Sequence, residues 1–215
     1  MDVTRSINCK ELRNCDVVDS SGERVGRIDD VTFTFDGSLK LKQFILAGSR
    51  WEELLESVKI KPDKDYLLDA ALITRIGDKV QLSTNVNSLK TTLDAGAISA
   101  DEIRWSDLTK MDIYDQDDVK VGRAVDIDFD LDGSASLIVG GGLVEESLES
   151  MGLKADIDII VPAKAIASMS DKIKLTVSKD DLKLTMDKAL ENPEVRKAKD
   201  LPADQRAVAK VRLYY

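Results

Sequence analysis

The stretch DIDFDLDG, residues 126–133, sets Asp126, Asp128, Asp130 and Asp132 at every second position and closes on Gly133. Carboxylates at this density have three chemical readings. Three aspartates ahead of a glycine begin a calcium loop, with Asp128, Asp130 and Asp132 as the candidate cation ligands. Paired carboxylates also carry acid–base catalysis. The third reading is the polar face of a β-strand, because side chains on a strand alternate between faces. The calcium loop fits poorly. Counted from Asp128, its twelfth position is Val139 instead of a bidentate Glu, and strand-type alternation stands where flanking helices belong.

The chain carries a second version of the same stretch. CDVVDSSGERVGRIDDVTFTFDGS (15–38) aligns without a gap on MDIYDQDDVKVGRAVDIDFDLDGS (111–134) at an offset of 96, with ten of 24 positions identical. After a three-residue shortening the match resumes, EELLESVKIKPDKD (52–65) on EESLESMGLKADID (145–158) and ITRIGDKVQLS (73–83) on IASMSDKIKLT (166–176). A period this long indicates paired domains rather than a solenoid. The expected organisation is a first copy at 1–96, a second at 97–189 and a tail at 190–215. The small residues Ala95, Gly96 and Ala97 mark the junction. In the first copy the four aspartates read Asp30, Thr32, Thr34 and Asp36, so the alternation is shared and the acidity is not. The expectation is therefore a solvated polar face, with Val31, Phe33 and Phe35, or Ile127, Phe129 and Leu131, turned to a core.

Other elements must position these strands. Asp36-Gly37 and Asp132-Gly133 supply tight hairpin turns. Gly26 and Gly122 stand inside strand pattern, where glycine marks a bulge, a bend or a close backbone approach, the corner of a small barrel. Arg27 and Arg123 follow them; a surface ion pair is expected, and a partner contact is the alternative. WEELLESVKI (51–60) and VEESLESMGL (144–153) read as a helical turn or long loop. Residues 179–191 read as a helix docking Leu182, Met186 and Leu190. The tail ends in VRLYY, where Tyr214 and Tyr215 suit a strand added to a sheet edge, packing on the chain's own body, or a partner contact. About five or six short strands per copy predict a mainly β fold.

Composition narrows the chemistry. With no histidine, Ser-His-Asp and Cys-His arrangements are excluded, and Cys9 and Cys15 read as two small buried thiols rather than zinc ligands. The formal charge is -9, and the tail holds six Lys/Arg and four Asp/Glu, leaving 25 basic and 36 acidic residues in the body. Such a body repels a phosphate backbone, so no direct nucleic-acid partner is expected. No apolar run approaches a membrane span and no secretion signal opens the chain, which reads as cytoplasmic.

The twice-repeated order of strand, D-x-x-G-x-x-V/I-G, alternating strand, DG turn, EEL segment and I-x-x-x-x-D-K-V/I resembles the PRC-barrel family. The resemblance implies two tandem small β-barrels with short helices and a C-terminal extension. It implies no enzyme, no catalytic residue, no cofactor and no metal. Its function would be a protein–protein assembly module similar to archaeal cell-division adaptors, self-associating or polymerising with a related PRC-barrel protein as a homo- or hetero-oligomer. The alternative is an adaptor like the ribosome-maturation factor RimM, binding a ribosomal protein. One departure is Asp118-Val119 in place of Gly22-Glu23, which predicts a less regular turn in the second copy.

Overall fold

The computed structural model describes residues 2–48, 67–88, 98–153, 157–193, 195 and 209–215. In chain order the elements are β1 (Asp2–Val3), β2 (Ile7–Asn8), α1 (Cys9–Leu12), β3 (Asp16–Val18), β4 (Arg24–Phe35), β5 (Leu39–Ala47), β6 (Leu67–Asp69), β7 (Ile73–Ile76), β8 (Val80–Leu82) and β9 (Ile103–Arg104). Then follow α2 (Trp105–Leu108), β10 (Asp112–Tyr114), β11 (Lys120–Phe129), β12 (Ala135–Gly140), α3 (Leu143–Ser150), β13 (Ile157–Pro162), β14 (Ile166–Met169), β15 (Ile173–Leu175), α4 (Lys179–Leu190) and β16 (Ala209–Arg212). The fold is mainly β, as the repeat pattern predicts. Two curled half-barrel sheets run β1-β7-β8-β3-β4-β5-β6, with β9 on β4, and β14-β15-β10-β11-β12-β13-β16, with β2 on β11.

Two compact units result: Met1–Asp107 with Asp128–Ala135, and Leu108–Ile127 with Ser136–Tyr215. The first unit therefore holds the start of both copies and the hairpin tip of the second. Its core includes Val17, Ile28, Phe33, Phe44, Ile76 and Phe129, and that of the second includes Ile113, Ile127, Ile160, Ile173 and Met186.

Each long strand bends at the same place. Val17 faces Gly26 while Val18 faces Arg24, leaving Val25 as an extra residue; Ile113 faces Gly122 while Tyr114 faces Lys120, leaving Val121. An unpaired residue of this kind kinks its strand and raises the local twist, which curls the sheet. At Gly122 the backbone also comes close: a Cβ there would lie 2.6 Å from the Gly140 carbonyl oxygen. The three-residue shortening falls after the DG turn, where nine-residue β5 is matched by six-residue β12.

VEESLESMGL contributes to α3, which buries Leu148; WEELLESVKI lies outside the described residues. On α4, Leu182, Met186 and Leu190 are all buried at a spacing of one turn, and the Ser178 hydroxyl caps the helix by accepting from Asp181 N–H. Beyond it, β16 adds in parallel to β13, pairing Ile157 with Ala209 through Ile160 with Arg212; Val211 on the strand and Leu213 just after it are buried. The tail thus completes a sheet edge of its own body.

The second copy keeps the turn that its sequence seemed to loosen. Asp118 takes a φ of 61° where Gly22 has 88°, and both turns close with the same backbone bonds, Asp19 N–H to Glu23 and Asp115 N–H to Val119. Aspartate tolerates the left-handed region better than most residues. Lys174 and Lys172 hold its carboxylate at 2.9 and 3.2 Å, and those hydrogen bonds keep its pKa below the usual carboxylate range.

Candidate functional site

The polar side of the acidic strand is not solvated along its length. Asp126 is buried, Asp128 is 0% exposed, and Asp30 and Thr32 of the first copy are buried too; Asp130 and Asp132, like Thr34 and Asp36 in the first copy, reach solvent. Additional short strands at the start of each copy account for the difference. In the first unit β2 adds antiparallel to the end of β11, with Asn8 opposite Asp128 and Ile7 opposite Phe129. At the equivalent positions β9 adds to β4, with Arg104 opposite Thr32 and Ile103 opposite Phe33. Each copy therefore lends an arm to the long strand of the other, and every partner pair is related by the offset of 96. Phe33 and Phe129 stack between the arms, ring centroids 6.0 Å apart.

Buried polar groups need partners, and the arms bring them. The Thr32 hydroxyl donates to Glu102 at 2.6 Å, and the Ser6 hydroxyl to the two oxygens of Asp128 at 3.3 and 3.4 Å. Ser6 and Glu102 are equivalent positions, as are Thr32 and Asp128. Both sites thus join one hydroxyl to one carboxylate, with the roles of arm and strand reversed. Asp30 accepts from the Ser106 hydroxyl at 2.6 Å and from its N–H at 3.3 Å, fixing the start of α2. Asp132 accepts from Ser134 N–H. Among the described residues, no group of three or more acidic or cysteine side chains is placed to hold a metal ion.

Two further carboxylates carry structure that the sequence reading passed over, although both stand among the identical positions. Asp19 accepts from Ser21 N–H, the Ser21 hydroxyl, Glu23 N–H and, across the fold, Val86 N–H. Asp115 accepts from Asp117 N–H, Val119 N–H and Lys179 N–H, the last at the first turn of α4. Burial raises the pKa of each, but the hydrogen bonds outweigh it and leave both below the usual carboxylate range.

Gly37 and Gly133 occupy the hairpin turns at φ of 89° and 78°, and Gly26 and Gly122 adjoin the bulges. Arg27 and Arg123 are exposed, and among the described residues neither forms an ion pair. The pairs form three residues earlier, Arg24 with Asp16 and Lys120 with Asp112 at 2.8 and 2.7 Å. Cys9 is buried, whereas Cys15 is only half-buried; burial still raises its thiol pKa. Tyr214 is 78% exposed. Tyr215 lies against α4, where burial pushes its phenol up to about 12 despite a hydrogen bond with Thr185.

All six exposed large apolar side chains among the described residues belong to the second copy or the tail: Val119, Val125, Leu131, Leu184, Tyr214 and Tyr215. Where the second copy exposes Val119 and Val125, at 46% and 44%, the first has exposed Glu23 and Asp29. No helix among the described residues is long and apolar enough to cross a membrane.

The family model of the PRC-barrel domain matches the chain twice, at residues 5–85 and 100–182. No curated protein matches it.

Proposed function

Because the chain belongs to the PRC-barrel family, we propose that it is a non-enzymatic assembly module, a scaffold that associates with itself or with a related PRC-barrel protein. The family is in general non-catalytic and often mediates protein interactions. The observation that carries the reading is the exposure of Val119 and Val125 at positions where the first copy carries Glu23 and Asp29. Two repeats with closely matched interiors differ where they meet solvent, the second showing valines in place of Glu23 and Asp29. Single exposed apolar residues are ordinary, but among the described residues Val119 and Val125 stand exposed where the first copy has charged Glu23 and Asp29, a difference that folding alone does not require. The predicted home of such a scaffold is an archaeal division assembly, with division proteins among its partners.

Analytical centrifugation over a concentration series, alone and with a related PRC-barrel protein, tests the reading. Association that V119E and V125D abolish without changing the melting temperature supports it. A monomer under every condition overturns it. Recovery of ribosomal proteins instead of division proteins from a lysate would favour the RimM-like alternative.

A further inference from the structure

The arms of the first unit follow a rule that the duplicated sequence makes legible. If two first copies exchanged arms, Ser6 would meet Thr32, hydroxyl against hydroxyl. If two second copies did so, the half-buried Glu102 would meet Asp128, a carboxylate with no solvent access. Like charges in such a place disfavour one another strongly. Only the unlike combination gives each of these two carboxylates a hydroxyl donor, as Thr32–Glu102 and Ser6–Asp128 show. The backbone pairing of β2 with β11 and β9 with β4, and the Phe33–Phe129 stack, carry no such preference, because they are the same in either direction.

A contact written this way does not depend on the two copies lying in one chain. We propose that the protein recruits a second molecule of itself by exchanging repeats, the first copy of one chain pairing its arm and strand with the second copy of another. The hydroxyl–carboxylate pairs select first-with-second matching. The exchange reproduces every contact of the closed chain, so its cost is mainly the loss of the effective concentration that the connection 89–97 provides. It deepens the self-association read above by adding a second contact, the arm–strand pairing, which does not involve Val119 or Val125. An exchange that does not close on two molecules adds a chain at each step, which suits a scaffold.

The test uses full-length chains. T32D sets a carboxylate against Glu102 and should lower the folding equilibrium constant about tenfold or more. E102S alone leaves two hydroxyls facing and should be far milder. T32D/E102S in one chain rebuilds the Ser6–Asp128 arrangement and should recover most of the loss. The decisive sample is T32D and E102S unfolded together in urea and refolded as a mixture. In an exchanged pair, the aspartate of T32D meets the serine of E102S, and the native Thr32–Glu102 pair forms on the other side. A mixed dimer, seen by mass spectrometry with one partner isotope-labelled and as stable as wild type, is the expected result. If the double variant recovers but the mixture unfolds as the sum of its parts, exchange between molecules is overturned, while association through Val119 and Val125 stands or falls by its own assay. If the double variant fails to recover, the selection rule itself is wrong.

Discussion

At Asp16 and Asp112, Asp19 and Asp115, Phe33 and Phe129, the two copies hold the same residue in corresponding contacts, down to the ion pairs with Arg24 and Lys120. At Glu23 and Val119, or Asp29 and Val125, one copy shows a charge to solvent and the other a hydrocarbon. At Thr32 and Asp128 the residues differ but the interaction is conserved, because Ser6 and Glu102 differ in the opposite sense. Three kinds of position are thus distinguished: those that both half-barrels need, those at the surface that are free to diverge, and those that change only in matched pairs.

The sharpest way to break this equivalence is at the stacked rings. F33A and F129A should each cost about 3–5 kcal/mol in urea unfolding, by equal amounts, since each empties the same kind of site. A large loss at one ring and none at the other would end the pseudo-symmetric reading. D19A and D115A come next, at about 1–3 kcal/mol each, because each removes a buried acceptor that several backbone N–H groups share. Both carboxyls bind protons more weakly folded than unfolded. Their contribution is therefore complete above the unfolded aspartate value of about 3.9 and is lost as pH falls through the lower folded values. Urea midpoints measured from pH 6 down to pH 2 should decline over that acid range, and the decline should be shallower in D115A. G122A should cost about 1–3 kcal/mol, because its methyl group would press on the Gly140 carbonyl. V119E and V125D should shift stability by no more than about 0.5 kcal/mol. Circular-dichroism melts decide both, and a large loss from either valine would mean that it serves the fold.

Much of this was legible in the residues. The gap-free match at an offset of 96 placed the hairpins, the bulge glycines and the long strands, and spacing alone placed Leu182, Met186 and Leu190 on one helical face. The burial of Asp126 and Asp128 was not legible, because a period of two assigns residues to faces without saying what covers each face. The cover of Asp128 comes from a segment more than a hundred residues away, and strand periodicity holds no trace of so distant a pairing. A trace did exist in the comparison of copies: Thr32 and Asp128 differ, and so do Ser6 and Glu102, in a compensating sense. Asp19 and Asp115 were visible as identities, but the donors from Val86 and Lys179 arrive only when the later elements fold back.

The separation of Ser6 from Asp128, 122 residues, also sets a clock on biosynthesis. At about 5–20 residues per second the ribosome takes about 6–24 s to deliver the strand that the first arm needs. Through that interval the nascent arm exposes Ile7 and an unpaired backbone edge, and a neighbouring polysome product could capture it before its own chain does.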